Sequence, residues 1–149
     1  MRYPPHAEAS AYNGTAARDL REPRVSGPTR FPAAVVAALD RAKILGVRAG
    51  DEHRYTGVWV VVVEGRVFVR SWDDEPTGWY RAFLREPRGS VQLAGGEIPV
   101  RARATRSERL RTLVSAAYGA KYDTMASQKW VRGFAEPQRE RNTLELIPD

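Results

Sequence analysis

The pattern of apolar and polar residues divides the chain near residue 30. Residues 1–30 are rich in proline, glycine, alanine and polar side chains and show no apolar periodicity. Such a segment cannot bury enough apolar surface to offset its ordering entropy. The pattern therefore predicts a flexible N-terminal tail over residues 1–30 and one folded domain over residues 31–149.

The domain is predicted to begin with a helix in "FPAAVVAALDRAKILGV", residues 31–47. Pro32 suits a first helical turn, the apolar residues from Val35 to Ala42 share one face, and Gly46 is expected to end the helix. The following "RAGDEHRY" is predicted to be a loop.

Two short hairpins and a final strand are predicted next. "TGVWVVVV" (56–63) is a continuous apolar run, typical of a strand buried on both faces, and Glu64-Gly65 turns it into "RVFVRS" (66–71). "SVQLA" (90–94) and "EIPVRARAT" (97–105) flank a second turn at Gly95-Gly96, and "TLELI" (143–147) is the last strand.

Helical periodicity appears between these strands. The apolar residues around Trp79 form a short stripe that Pro87 ends, and a longer stripe from Leu110 to Tyr122 follows Ser107, a suitable N-cap. Residues 123–141 are irregular, with a helical turn around Trp130. This order favours an α+β, mainly β fold: a small antiparallel barrel with flanking helices.

Composition indicates the cellular compartment and excludes several classes of site. The 149 residues contain no cysteine and no apolar run of membrane-spanning length, so we expect a cytoplasmic protein without disulfides. The net charge of +6 comes almost entirely from arginine, which fits either an anionic partner or a GC-rich genome. No hydrolase motif, phosphate loop, dinucleotide fingerprint or metal-spaced cluster is present. The arginines between residues 101 and 111 fall on several faces, so nucleic acid is not the favoured partner.

Arg70 and Ser71 are the first candidates for ligand binding. Arg70 shares a strand face with Phe68, where burying a guanidinium without an anion is costly. It must therefore reach the rim, pair with the acidic loop that contains Asp73 and Asp74, or bind a ligand anion. Together with Ser71 and Arg81 it would suit a phosphate, because a planar fork and hydroxyl groups match phosphate oxygens.

Three further residues have two interpretations each. Trp79 and Tyr80 either pack in the core with Phe83 or line the pocket of a flat ligand. Lys121 lies on the apolar stripe of its helix, where it either extends to water beside the C-terminal carbonyl groups or meets a ligand anion.

The stretch "VFVRSWDDEPTGWYRAFLREPRGSVQLAGGEIPVRARAT" resembles the middle of the deazaflavin-dependent nitroreductases. With "TGVWVVVVEGRVFVRS" before it and "AAYGAKYD" after it, residues 31–148 resemble a bacterial family of unknown function related to the pyridoxamine-phosphate-oxidase-like split β-barrels.

That resemblance implies a small antiparallel split β-barrel, a homodimer, and flavin mononucleotide (FMN) or a deazaflavin as cofactor, with no metal. It also implies a set of cofactor-binding residues, to which we add Lys121 from the argument above. This predicted coenzyme set is Arg70, Ser71, Trp79, Tyr80, Arg81 and Lys121.

Three functional hypotheses follow, in this order. The first is a flavin- or deazaflavin-dependent oxidoreductase acting on a small organic substrate. The second is a cofactor-free barrel that binds or isomerises a small metabolite, because the nitroreductases carry a glycine- and lysine-containing loop where this chain has acidic residues 73–75. The third is a nucleic-acid-binding module, which would bind with a steep salt dependence.

Overall fold

The structure, a computed structural model, describes residues 29–149, which form seven strands and five α-helices. The helices are α1 (Ala33–Arg41), α2 (Trp79–Arg85), α3 (Glu108–Lys121), α4 (Gln128–Phe134) and α5 (Pro137–Glu140). The strands are β1 (Leu45–Ala49), β2 (Thr56–Val58), β3 (Val60–Val63), β4 (Arg66–Arg70), β5 (Arg88–Leu93), β6 (Gly96–Ala104) and β7 (Thr143–Pro148). Apart from residues 29 and 30, the predicted tail lies outside the described residues. None of the helices in residues 29–149 is long and apolar enough to cross a bilayer.

The strands form one antiparallel sheet that is nearly closed into a barrel. Their order is β2-β1-β5-β6-β7-β4-β3, and every neighbouring pair is antiparallel. Because only Trp59 separates β2 from β3, the two edges of the sheet belong to one bent segment of chain. The predicted antiparallel barrel with flanking helices is confirmed. The apolar run expected to be one strand is divided at this bend.

The first strand was not predicted. Helix α1 ends at Arg41, and "LGVRA" forms β1 instead of the end of a helix and the start of a loop. Leu45, Val47 and Ala49 enter the barrel interior, while Arg48 points to the outer face. This alternation has the period of a strand, but the run is short, and pairing with both β2 and β5 decides its conformation.

The predicted turn at Glu64-Gly65 is present, and the second turn lies one residue earlier than the predicted Gly95-Gly96. Glu64 and Gly65 have φ angles of 56° and 74°, and Ala94 and Gly95 have φ angles of 50° and 81°. Two successive residues in the left-handed region match the right-handed twist of the flanking strands. The turns therefore fix the register of β3 with β4 and of β5 with β6.

Apolar side chains form two cores, one inside the barrel and one outside it. The interior is filled by inward-facing strand residues and closed by side chains from α1 and α2, among them Leu39, Tyr80 and Phe83. The outer core lies between the β3–β4 hairpin and helices α3 and α4. The interior is thus packed with side chains, and ligands must be sought on the outer face of the barrel.

The segment predicted as irregular is largely helical. Residues 125–127 form a 3₁₀ turn, and α4 and α5 follow it. Phe134, at the end of α4, is buried, with its ring centroid 4.8 Å from that of Tyr118. The segment is therefore part of the outer core.

Candidate functional site

Arg70 lies at the end of β4 on the outer face of the barrel, beneath α3 and α4. It is 1% exposed, and its guanidinium donates to four oxygen atoms: Thr143 Oγ1 at 2.7 Å, Ser115 Oγ at 2.8 Å, the Phe134 carbonyl at 2.8 Å and the Arg111 carbonyl at 3.1 Å. Four short hydrogen bonds to protein groups occupy most of its five N–H donors.

These contacts answer the question of how a buried Arg70 is stabilised. The sequence left a rim position, a pair with the acidic loop, or a ligand anion. The structure instead surrounds the group with neutral oxygens, and the closest carboxylate connection runs through Ser115, which donates to Glu140 Oε2 at 3.1 Å. Burial lowers the pKa of Arg70. Asp74 pairs with Arg81 instead, at 2.6 Å.

Ser71 and Tyr80 are also turned inward. The Ser71 hydroxyl donates to the Asp73 carbonyl at 2.6 Å, and its own carbonyl accepts from the Asn142 amide at 3.3 Å. The Tyr80 hydroxyl donates to the Arg141 carbonyl at 3.4 Å, and its ring belongs to the barrel interior. Both residues fix the loop after β4 to the start of β7.

Trp79 and Arg81 are nearer the surface. Trp79 is half-buried against the barrel interior, with its ring edge-on to those of Tyr80 and Phe83. The Arg81 side chain is 45% exposed and holds the Asp74 carboxylate. Within the predicted coenzyme set, these two side chains are the ones that an incoming ligand meets without displacing the core.

Lys121 lies at the end of α3 and contacts backbone carbonyl groups of two other elements. Its ammonium donates to the Val60 carbonyl at 2.8 Å and the Leu39 carbonyl at 3.3 Å, so it joins α3 to β3 and α1. Burial, with a smaller effect of Lys43, lowers the pKa of Lys121 to about 8. It has no hydrogen-bond partner in common with Arg70, so the structure does not bring the two cations together in one site.

A cleft of about 830 Å³ with several charged lining residues lies on the outer face of β1, β5 and β6 and is here called the Arg48 cleft. Its charged lining residues are Arg48, Arg88, Asp51, Glu52, Glu86, Glu97 and Asp149. His53, Ser90 and Pro99 also line it, with backbone from residues 49, 50 and 89. A smaller cavity of about 460 Å³ between α1 and the β5–β6 turn has Arg41 as its one charged lining residue within the described chain.

Arg48 forms the floor of this cleft and is 5% exposed. One terminal nitrogen is 3.5 Å from the His53 carbonyl, the other is 3.5 Å from Glu97 Oε2, and Nε is buried without a partner among residues 29–149. These distances exceed those of ordinary N–H···O bonds, and charge-assisted bonds are usually shorter still. Arg48 is therefore a buried cation whose donors are poorly satisfied.

Tyr55, Ser90 and Glu97 hold the floor in place. The Arg48 guanidinium lies 4.6 Å above the Tyr55 ring, and the Tyr55 hydroxyl donates to Glu97 Oε2 at 2.7 Å and lies 2.8 Å from Ser90 Oγ. Burial raises the pKa of Tyr55 to about 12, so its proton remains in this network. Glu97 Oε2 therefore accepts the Tyr55 hydroxyl at 2.7 Å and pairs with Arg48 at 3.5 Å.

Gly89 allows β5 to approach β1 at this floor. A Cβ atom there would collide with the backbone of Arg48 and Ala49. The cleft was missed at the sequence level because Arg48 was assigned to a loop. The available signal was the strand-like alternation in "LGVRA", which isolates an arginine on the polar face.

The mouth of the cleft is acidic. Asp51 and Glu52 follow β1 and Glu86 follows α2, and all three side chains are exposed. None has a cationic partner within residues 29–149. Glu86 accepts the Arg88 backbone N–H at 3.3 Å. At the side of the cleft, Arg88 lies 3.6 Å from Asp149.

Three arginines of the basic run after residue 100 form ion pairs on the surface of the fold. Arg101 lies 3.7 Å from Asp149, Arg103 3.1 Å from Glu145 and Arg109 2.7 Å from Glu64. Within residues 29–149, no group of three or more histidines, cysteines or carboxylates is arranged to hold a metal ion.

Comparison with known proteins identifies a family and two distant structures. The profile of a family described as "Uncharacterized protein conserved in bacteria (DUF2255)" matches residues 35–146. No curated protein matches the chain. The crystal structure of conserved hypothetical protein Rv2991 from Mycobacterium tuberculosis aligns with a TM-score of 0.47 at 13% identity over 83% of this chain and 82% of that one. A FAD-binding protein (mll6688) from Mesorhizobium loti aligns with a TM-score of 0.48 at 12% identity over 82% of this chain and 93% of that one.

Proposed function

The chain belongs to the DUF2255 family of bacterial proteins, and we propose that it is an oxidoreductase that uses FMN or a deazaflavin and takes a small organic substrate into the Arg48 cleft. The resemblance to split barrels supports the coenzyme part of the proposal. The Arg48 cleft supports the substrate part.

The observation that carries the proposal is the poorly satisfied floor of the cleft. Ligand and cofactor sites usually occupy about 300–1,000 Å³ and contain a few convergent polar groups. The Arg48 cleft, at about 830 Å³, has this size. Its floor holds a buried guanidinium whose two terminal nitrogens have no acceptor closer than 3.5 Å within residues 29–149, so a bound acceptor could make the shorter bonds that are missing there.

The predicted coenzyme set fits a flavin-type coenzyme only in part. Trp79 and Arg81 are nearer the surface, and we infer that they contact the ring and the phosphate, whereas Arg70 and Ser71 donate to protein oxygens. We infer that Arg70 and Ser71 support the loop and helix that present Trp79 and Arg81. The coenzyme, when bound, supplies the hydride acceptor or donor, so no side chain has to act as the redox group.

The protein contacts of Arg70, Ser71 and Arg81 favour a second function, in which the barrel binds no coenzyme. Arg70 and Ser71 are satisfied without a ligand, and Arg81 is paired with Asp74. A cofactor-free barrel that binds or isomerises a small metabolite in the Arg48 cleft needs no further cation. Fold alone does not distinguish this function from the first.

Titration of the purified protein with FMN and with a deazaflavin, followed by fluorescence, tests the choice. Saturable quenching by either coenzyme, weaker in Arg81→Gln, would support the oxidoreductase. Riboflavin, which lacks the phosphate, is the matched ligand control. If neither coenzyme binds, the oxidoreductase proposal fails and the cofactor-free function takes its place.

We also propose that the protein is a homodimer, as the resemblance implies. Size-exclusion chromatography with light scattering should give twice the chain mass of 16.7 kDa. A monomer at every concentration measured would reject the dimer.

A further inference from the structure

Some carboxylates of this arginine-rich chain form ion pairs with arginines, and others have no cationic partner within residues 29–149. Several are held by arginines close by, as Glu64 is by Arg109 and Glu145 is by Arg66. The three exposed carboxylates at the mouth of the Arg48 cleft, Asp51, Glu52 and Glu86, have no cationic partner within residues 29–149. Other acidic side chains without a cation occur in the described chain, but none of those lines this cleft.

The floor of the same cleft holds a buried cation, Arg48, which pairs with Glu97 only at 3.5 Å. Arg48 is only 5% exposed. Its guanidinium has two contacts of 3.5 Å, and its Nε has no partner within residues 29–149. A guanidinium is a planar fork that matches a carboxylate with two parallel hydrogen bonds. Glu97 does not provide that match, because one of its oxygens is held by the Tyr55 hydroxyl at 2.7 Å.

The two observations select against ligands of one sign. A dianion such as phosphate would find one arginine at the floor but would have to pass the three mouth carboxylates. A simple amine would be attracted to the mouth but would leave Arg48 unsatisfied and would be repelled by it. A ligand that carries both charges satisfies both ends of the cleft.

We propose that the Arg48 cleft binds a zwitterionic amino acid, with the ligand carboxylate on Arg48 and its ammonium group among Asp51, Glu52 and Glu86. The inference rests on the proposed function for the place of the substrate, and it names the class of that substrate. Glu97 lies 3.5 Å from the guanidinium, so a ligand carboxylate that comes closer gains the short charge-assisted bonds that residues 29–149 leave unmade.

Isothermal titration calorimetry on the full chain without coenzyme tests the inference. The probes are β-alanine, 4-aminobutyrate and 6-aminohexanoate, whose two charges are progressively further apart. Butylamine, butanoate and inorganic phosphate are the controls with one sign of charge. At least one amino acid should bind about tenfold or more tightly than butylamine and butanoate, because a single charge-assisted contact is worth about that factor.

Variants separate the two ends of the ligand. Arg48→Met should weaken binding of the preferred amino acid about tenfold and leave butylamine unaffected or slightly improved. Asp51→Asn with Glu52→Gln, and separately Glu86→Gln, should weaken the amino acid and butylamine but not butanoate. Arg106→Met, which removes an exposed arginine outside the cleft, is the matched control and should bind like the unchanged protein.

Three results would overturn the inference. If butylamine binds as well as every amino acid and Arg48→Met has no effect, the cleft is a cation site. If butanoate or phosphate binds best, it is an anion site. If none of the probes binds, the cleft does not take this class of ligand.

The outcome can be separated from that of the proposed function, because the titrations contain no coenzyme. A protein that binds an amino acid but neither FMN nor a deazaflavin keeps this inference and loses the oxidoreductase. A protein that binds a coenzyme but no amino acid keeps the oxidoreductase and loses this inference.

Discussion

The guanidinium groups of Arg48 and Arg70 are both buried, but only that of Arg70 is saturated with short hydrogen bonds. Arg70 makes four bonds of 2.7–3.1 Å to protein oxygens, whereas Arg48 has two contacts of 3.5 Å and an unpartnered Nε. Saturated donors hold a fold together, and unsatisfied donors are available to a ligand. The two arginines therefore have different expected responses to substitution.

Replacing Arg70 by methionine should destabilise the fold by roughly 3 kcal/mol, because it leaves four buried acceptors without a donor. The affected acceptors belong to β7, α3 and α4, so the loss should weaken the outer core as a unit. Urea denaturation followed by circular dichroism measures the change. A loss below about 1 kcal/mol would show that those acceptors find other donors or water.

Replacing Arg48 by methionine should cost about 1–2 kcal/mol, less than Arg70→Met, because no short hydrogen bond is lost and only longer contacts of the guanidinium, among them those with the Tyr55 ring and Glu97, are removed. Glu97 keeps the Tyr55 hydroxyl as its donor. The same denaturation experiment provides the comparison with Arg70→Met. Equal losses in the two variants would contradict the difference that the hydrogen bonds imply.

Replacing Gly89 by alanine should cost about 1–3 kcal/mol, since the added Cβ collides with the backbone of Arg48 and Ala49, which cannot move aside like a flexible side chain. The same change should disturb the floor of the cleft. Gly96→Ala in the neighbouring strand is the control, because its Cβ would come no closer than 3.8 Å to any atom. Thermal unfolding of both variants decides the point; matching melting temperatures would show that β1 and β5 can separate at no cost.

Stability should rise with pH between about pH 8 and pH 9, because the pKa of Lys121 is lowered to about 8 in the fold and is about 10.4 in an unfolded chain, whereas nearer pH 10 the raised pKa values of Tyr55 and Tyr122 act in the opposite direction. In this window the unfolded state still holds the proton that the native state has lost, so raising the pH favours the native state. Below the window both states are protonated, and the contribution is absent. The direction follows from burial of the ammonium at the junction of α1, β3 and α3.

Urea denaturation at pH 7, 8, 9 and 9.5 measures this dependence. Lys121→Met should show a flatter profile over the same range. Lys129→Met, an exposed lysine of α4, should behave like the unchanged protein. Identical profiles for the unchanged chain and Lys121→Met would exclude Lys121 as the titrating group.

Local patterns in the sequence were sufficient for most of the elements. The valine-rich run before Glu64-Gly65, the hairpin at Gly95 and the helix after Ser107 are all present, and the Ser107 hydroxyl accepts the Leu110 N–H at 3.1 Å. Each of these signals depends on residues within a few positions of one another. β1 was missed because a five-residue run carries too few periods to overcome the helical pattern before it.

The side chains of the site were harder to interpret than the strands that carry them. The sequence predicted that Arg70 shares a strand face with Phe68, but its acceptors come from residues 111, 115, 134 and 143, which are distant along the chain. The sequence does not identify Arg48 as a site residue. Its surroundings depend on Tyr55, Ser90 and Glu97, which come together through the pairing of β1 with β5 and of β5 with β6.

The sequence by itself determined an antiparallel barrel with flanking helices, because apolar periodicity and turn chemistry act between neighbouring residues. Only the tertiary structure decided which buried arginine is structural and which is poorly satisfied. The free energy of a buried charge depends on the acceptors around it, and those acceptors are supplied by strands and helices that meet only in the folded chain.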